Sequence, residues 1–83
     1  MRVTIRLFAR LREIAGAPEL SRELPDGATT GHVWACLAGE FPHLAGYAGS
    51  VSCAVNEEYA RLTTPLKDGD EIAFLPPVSG GSN

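Results

Sequence analysis

One stretch of this 83-residue chain has the spacing of a long amphipathic helix, and it limits the folds that the chain can adopt. The stretch begins after Thr29 and Thr30, either of which could cap a helix, and it ends at Pro42. Between these points, apolar side chains recur three or four positions apart, at Val33, Trp34, Leu37, Ala38 and Phe41. One side of such a helix must be covered by another layer, so we expect it to pack on a β-sheet with Trp34 in the core.

Three shorter segments precede this helix. Residues 2–8 alternate between polar and apolar side chains, which predicts a half-buried strand. Its inward-facing residues are Val3, Ile5 and Leu7, and Phe8 lies on the outer face. Residues 9–16 predict a short helix with a glycine as its stop, and residues 19–24 predict a second, weaker strand. We expect the two strands to form a hairpin-like pair.

The segments after the helix predict the rest of the sheet. Residues 43–50 are rich in glycine, and we expect them to be irregular. Residues 51–56 alternate again and lead through a tight turn into a partner strand that contains Tyr59. The final strand is expected at residues 71–75. In it, Ile72 and Phe74 face inward and Leu75 faces outward.

The sum is an α+β domain with a mixed sheet of four or five strands and one main helix on one of its faces. The other face then stays open to water or to a partner. If the first and last strands lie side by side, this open face collects three apolar side chains, those of Phe8, Tyr59 and Leu75. An exposed apolar patch of this kind indicates a docking surface.

Composition and charge exclude several classes of protein. Ten acidic against seven basic residues give a net charge of -3, and the Arg and Lys residues form no run, so we expect no nucleic-acid partner. No apolar stretch is long enough for a membrane span, and no signal peptide is visible, so we expect a cytoplasmic protein without a membrane partner. Cys36 and Cys53 lack the spacing of a metal or redox motif, and we interpret both as buried hydrophobic residues. His32 and His43, without a third ligand, predict no metal site.

No set of residues in the chain forms a catalytic group, so the chain must act by being bound. Its carboxyl-terminal stretch is the informative part. Pro76 and Pro77 are rigid and would direct the tail away from the domain. Gly80 and Gly81 have no side chains, so the tail could enter a narrow tunnel, and in extended form Val78 to Gly81 would span about 13 Å.

At this point the sequence resembles a known family. The segments LFARLREIAG (residues 7–16), VNEEY (residues 55–59) and PLKDGDEIAFLPPVSGG (residues 65–81) resemble the small, sulfur-carrying subunits of molybdopterin synthase, which are ubiquitin-like β-grasp proteins. The match covers nearly the whole chain in order. The resemblance implies a β-grasp domain over residues 1–78 and a flexible tail over residues 79–83.

The resemblance also implies a mechanism and a set of partners. An E1-like adenylyltransferase would use MgATP to adenylate the carboxylate of Gly81, and a sulfur donor protein would convert it to a thiocarboxylate. The tail would then enter the large subunit of molybdopterin synthase, in an expected heterotetramer, and give sulfur to cyclic pyranopterin monophosphate. Gly80, which has no side chain, would let the tail pass through a narrow opening in the partner. The chain itself would bind no cofactor. The family's partner surface maps onto Phe8, Tyr59, Leu75, Pro76, Pro77 and Val78.

The chain departs from the family pattern at Ser82 and Asn83, which follow the second glycine. A peptide bond at Gly81 leaves no carboxylate there to adenylate, so we expect proteolytic trimming. An inactive protein, or a cloning or gene-end artefact, would also account for the two added residues. Three further hypotheses about function stay open. The chain could carry sulfur for thiamine, cysteine or a tungsten cofactor, it could be a ubiquitin-like modifier conjugated to lysines, or it could be a plain interaction domain with an inert tail.

Overall fold

The computed structural model describes residues 1–77, and every structural statement below concerns these residues. The elements in chain order are β1 (Arg2–Leu7), α1 (Ala9–Ala15), β2 (Glu19–Glu23), α2 (Thr30–Glu40), a 3-10 helix (Pro42–Tyr47), β3 (Ser52–Val55), β4 (Glu58–Ala60) and β5 (Glu71–Leu75). Val78, Gly80 and Gly81 lie outside the described residues, as does the predicted boundary between domain and tail, so these stay predictions.

All five strands form one mixed sheet, in the order β2-β1-β5-β3-β4. The first and last strands lie side by side and run parallel, with Ile5 opposite Ile72 and Leu7 opposite Phe74. Every other neighbouring pair is antiparallel. The predicted α+β fold with a mixed sheet is therefore confirmed, and the first and last strands meet the condition on which the shared open face depends.

The core lies between one face of this sheet and α2. The inward residues predicted for β1 and β5 are all at most 1% exposed. Trp34 of α2 is buried as predicted, and its ring centroid lies 5.0 Å from that of Phe74 at an angle of 56°. Aromatic pairs favour such tilted geometry, so the contact joins the helix to the middle of the sheet.

The first turn of α2 is held by the segment that follows β4. Thr29 is the N-cap, and its hydroxyl accepts a hydrogen bond from the amide of His32. The amides of Thr30 and Gly31 donate to the carbonyls of Thr64 and Leu62, at 3.0 and 2.7 Å. These contacts satisfy amides that a helix start leaves without partners inside the helix. They also tie the connection between β4 and β5 to the helix.

Two predictions about this layer are wrong. Residues 43–50 are not irregular throughout, because the 3-10 helix occupies 42–47 and buries Leu44 completely. Cys53 is buried as predicted, but Cys36 is exposed. Cys36 follows Val33 by nearly one helical turn, on the side of Val33 that faces away from Trp34, so it lies outside the buried stripe.

Candidate functional site

The face of the sheet opposite α2 carries the apolar residues that the sequence placed there. Phe8 is 36% exposed and Tyr59 is 89% exposed, whereas Leu75 is partly buried. Their outward direction follows from strand alternation, because each is adjacent in sequence to an inward-facing residue. The structure therefore places all three on the open face, as predicted; it does not test their role in binding.

Phe8 and Leu75 are neighbours at one end of this face. Leu7 and Phe74 are register partners in the parallel pair, so Phe8 and Leu75 are the next residues along β1 and β5. Phe8 keeps an extended backbone, with φ -125° and ψ 151°, and the chain turns into α1 only at Ala9, which has φ 51°. This sharp turn leaves Phe8 on the sheet face instead of drawing it into the short helix.

Tyr59 lies on β4, with β3 between it and the strand of Leu75 and with both β3 and β5 between it and the strand that leads to Phe8. It lies opposite Ala54 of β3, and Ala54 lies opposite Ala73 of β5, which in turn lies opposite Arg6 of β1. The two alanines in the middle of this row have small side chains, so the surface forms a shallow depression between the larger side chains of Tyr59 and Arg6 at its ends. A partner could therefore contact Tyr59 at one end of the row and, at the other end, Arg6 and the ring of Phe8 beside it.

The chain leaves β5 at the same end of the face. Pro76 is partly buried and Pro77 is exposed. Proline fixes its own φ and restricts the residue before it, so the two prolines limit the directions that the chain can take after Leu75. Phe8 and Leu75 thus lie at the end of β5 where the described part of the chain continues into Pro76 and Pro77.

Arg6 belongs to this site, although the sequence analysis gave it no role. Its guanidinium carbon lies 5.7 Å from the centroid of the Phe8 ring, which is within cation–π range. The sequence signal for it was its position in the outer set of the first strand, two residues before Phe8. At the other end of the same strand, Arg2 instead forms an ion pair with Glu23 at 2.9 Å.

Three groups with shifted pKa values form structural contacts away from this face: those of Arg22, Glu40 and Cys53. Arg22 of β2 binds Glu40 of α2, which raises the pKa of the guanidinium and lowers that of the carboxyl group. Burial raises the pKa of the Cys53 thiol, which donates to the carbonyl of Ala60 at 3.2 Å. Within residues 1–77, no group of three or more His, Cys, Asp or Glu side chains could hold a metal ion.

The helices of the described segment are all too short or too polar to cross a membrane. The site is a surface that consists of the apolar side chains of Phe8, Leu75 and Tyr59, the two small residues Ala54 and Ala73 between them, and Arg6. Such a surface can bind another protein through aromatic and aliphatic anchors.

Comparison with known proteins agrees with this description. The sequence model of the ThiS family matches residues 5–81. The molybdopterin synthase sulfur carrier subunit of Chlamydomonas reinhardtii is 41% identical over 83 aligned residues, which cover 98% of this chain and all of that protein.

Solved structures give the same result. The crystal structure of SAMP1 from Haloferax volcanii matches with a TM-score of 0.86 and 31% identity, and covers 98% of this chain and 100% of that one. A chain in the complex of subunits 1 and 2 of the molybdopterin-converting factor from Helicobacter pylori matches with a TM-score of 0.68 and 29% identity, and the match covers 98% of this chain and 100% of that one. The chain therefore belongs to the ThiS family of ubiquitin-like β-grasp proteins, as a relative of the molybdopterin synthase sulfur carrier subunits.

Proposed function

We propose that this protein is the sulfur carrier subunit of a molybdopterin synthase, and that Gly81 carries the sulfur as a thiocarboxylate. The observation that carries the proposal is the family match, which extends to residue 81 and so includes Gly80 and Gly81. The similarity to curated sulfur carrier subunits over nearly the whole chain supports the same function.

The proposed chemistry divides between this chain and its partners. An E1-like adenylyltransferase transfers the AMP part of MgATP to the Gly81 carboxylate, with release of pyrophosphate. The outer sulfur of a persulfide on a donor protein then attacks the adenylate and displaces AMP, and a thiol reduces the acyl disulfide so formed, which leaves a terminal thiocarboxylate. This chain contributes the acyl group and the tether, and the partner enzymes contribute the catalytic residues.

Sulfur transfer follows in the large subunit of molybdopterin synthase. The tail presents its thiocarboxylate to cyclic pyranopterin monophosphate, and the sulfur adds to the pterin side chain as a thioester with Gly81. Water then cleaves the bond between the Gly81 carbonyl carbon and sulfur, so that the sulfur stays on the pterin and Gly81 returns to a carboxylate. A dithiolene has two sulfur atoms, so two loaded carriers are consumed for each product. The tether raises the local concentration of the nucleophile, and a narrow tunnel limits hydrolysis of the thiocarboxylate before its sulfur is transferred.

The geometry of the open face supports docking to the large subunit. Phe8 and Leu75 lie where the chain leaves β5, with Pro76, Pro77 and Val78 next along the chain, and Tyr59 extends the surface across the sheet. A partner bound to this face would therefore contact this protein next to the point from which the tail continues. A chain related to this one occurs in the complex of subunits 1 and 2 of the molybdopterin-converting factor from Helicobacter pylori, which supports a two-subunit assembly here as well.

Ser82 adds one requirement. Because it follows Gly81, the bond between them must be hydrolysed before adenylation. We propose that a protease removes everything after Gly81.

A reconstituted transfer reaction tests the function. The chain ending at Gly81 is prepared with a terminal thiocarboxylate and mixed with the large subunit and cyclic pyranopterin monophosphate, and molybdopterin is measured. We expect product from the thiocarboxylate and none from the matched terminal carboxylate. The proposal is contradicted if the thiocarboxylate gives no product while a related carrier of known activity does so with the same large subunit.

A second function, protein modification, is favoured by the similarity to SAMP1, which is a small archaeal modifier protein. Both functions begin with the same adenylate at Gly81, so they are distinguished by what is formed from it, a thiocarboxylate in sulfur transfer or a bond to a lysine in protein modification. Lys67 is the last basic residue, and trypsin would therefore leave residues 68–81 attached to a modified lysine. Mass spectrometry of the host proteome for this remnant detects conjugation.

Sulfur carriage for thiamine, cysteine or a tungsten cofactor is distinguished from the proposed function by testing which of these compounds a strain that lacks the gene for this protein fails to make.

A further inference from the structure

Two arginines of β1 occupy equivalent places on the open face and behave differently. Both face outward, and each lies opposite a glutamate of β2, Arg2 opposite Glu23 and Arg6 opposite Glu19. Arg2 forms its ion pair at 2.9 Å. Arg6 forms none with any carboxylate among residues 1–77, and its guanidinium lies over Phe8.

The position of Arg6 makes this difference matter for docking. Phe8 follows two positions along the same strand, and Ala73 is the register partner on β5. A protein that contacts both Phe8 and Tyr59 must also cover the row between them, which ends at Arg6. A purely apolar partner would remove water from the guanidinium and offer it no acceptor, which is costly for a charge.

We propose that Arg6 is the charged anchor of the docking face, and that it binds a carboxylate of an aspartate or glutamate on the partner surface. The inference rests on the proposed function, since it assumes that the face with Phe8 docks to the large subunit. A guanidinium offers a planar fork of donors that matches a carboxylate, and the Phe8 ring beneath it restricts its orientation before binding. This complementary charge fixes the register of an otherwise apolar contact.

Substitutions at the two arginines form a matched test. Arg6→Met removes the charge but keeps an unbranched apolar chain that can lie over Phe8, Arg6→Lys keeps a charge, and Arg2→Met removes the ion-paired arginine of the same strand and face. Kd for the large subunit of the same organism's synthase is measured by calorimetry at low and high NaCl. Thermal melts check that each variant is folded.

At low salt we expect Arg6→Met to raise Kd about tenfold or more, and Arg2→Met to change it less than about threefold. Arg6→Lys should fall between wild type and Arg6→Met, because an ammonium keeps the charge without the fork. The difference between wild type and Arg6→Met should shrink as salt rises. Replacement of partner acidic residues by Gln or Asn should identify one whose effect disappears in the Arg6→Met background.

Two results would overturn the inference. One is an Arg6→Met protein that binds as tightly as wild type at low salt, which would mean that the stem over Phe8 is all that docking uses. The other is equal loss from Arg6→Met and Arg2→Met, which would indicate general electrostatic attraction. Phe8→Asp distinguishes failure of this inference from failure of the proposed docking face. If Phe8→Asp and Arg6→Met both bind like wild type, the docking face itself is wrong. If only Phe8→Asp loses binding, the docking face stands and only the role of Arg6 is removed.

Discussion

The two faces of this sheet are made by the same strands, and they differ in how completely their side chains are covered. On the face under α2, Ile72 and Phe74 are fully buried. On the opposite face the adjacent residues Ala73 and Leu75 are only partly buried, and Tyr59 is 89% exposed. One face therefore provides stability, and the other is available to a partner, so substitutions on the two faces should affect different measurements.

The largest effect on stability is expected at the centre of the covered face. Phe74→Ala should lower the free energy of unfolding by about 3–5 kcal/mol, because a fully buried ring that contacts Trp34 is replaced by a cavity. Its neighbour Leu75→Ala should cost less than about 2 kcal/mol, since the open face has no second layer to lose. Urea denaturation followed by circular dichroism measures both. Equal losses would contradict the distinction between the faces.

A smaller effect is expected where α2 contacts the segment after β4. A Cβ at Gly31 would lie 2.9 Å from the carbonyl oxygen of Leu62, which also accepts the Gly31 amide. Gly31→Ala should therefore lower the free energy of unfolding by about 1–3 kcal/mol. Gly39→Ala is the matched control, because a Cβ there meets nothing within 4 Å and alanine favours the helix, by about 0.5–1 kcal/mol. If both changes stabilise the protein, the close approach at Gly31 does not constrain the fold.

Phe8→Asp should separate stability from binding most clearly. Phe8 is the N-cap of α1 and makes no side-chain capping bond, whereas aspartate is a preferred N-cap residue. We expect the free energy of unfolding to stay within about 1 kcal/mol of wild type or to rise. Binding to the large subunit should weaken by about 1–3 kcal/mol, because an apolar anchor becomes a charge. A thermal melt and a binding titration on the same sample give both values, and unchanged binding would remove Phe8 from the docking face.

The smallest effect is expected at the ion pair of Arg22 and Glu40, at the edge of the covered face. Arg22 lowers the pKa of Glu40, so the pair adds stability above the ordinary carboxyl pKa of 4.5, and this stability is lost as the pH falls through the lowered value. Arg22→Gln should cost at most about 1 kcal/mol at neutral pH, because both side chains are partly exposed. The difference from wild type should disappear well below pH 4.5. Denaturation curves across this range check the sign, and a difference that grows in acid would contradict it.

The sequence predicts what depends on local spacing and misses what depends on distant contacts. The inward residues of β1 and β5 and the buried stripe of α2 follow from periods of two and 3.6 residues, and the structure confirms them. The neighbourhood of Phe8 and Leu75 required the first and last strands to pair, which alternation alone does not specify. The contact of Gly31 with Leu62 joins segments far apart in sequence, so no local pattern indicates it.

Arg6 shows the same limit at the candidate site. Its outward direction is visible from the alternation of the first strand, but the sequence does not distinguish it from Arg2. The register with β2 places a glutamate opposite each of them, and only the side-chain contacts show that Arg2 is ion-paired whereas Arg6, within residues 1–77, lies over the Phe8 ring. The role of Gly80 and Gly81 comes from the family resemblance, since their place lies outside the described residues.

The most direct test of the central claim is the intact mass of this protein, purified from its own host after co-expression with the E1-like partner. We predict a species that ends at Gly81 and is heavier than the free acid by the mass difference between sulfur and oxygen. Gly81→Val should remove the sulfur-containing species without unfolding the domain. A protein whose Gly81–Ser82 bond is intact, with no added sulfur even when the partner is active, would contradict the account.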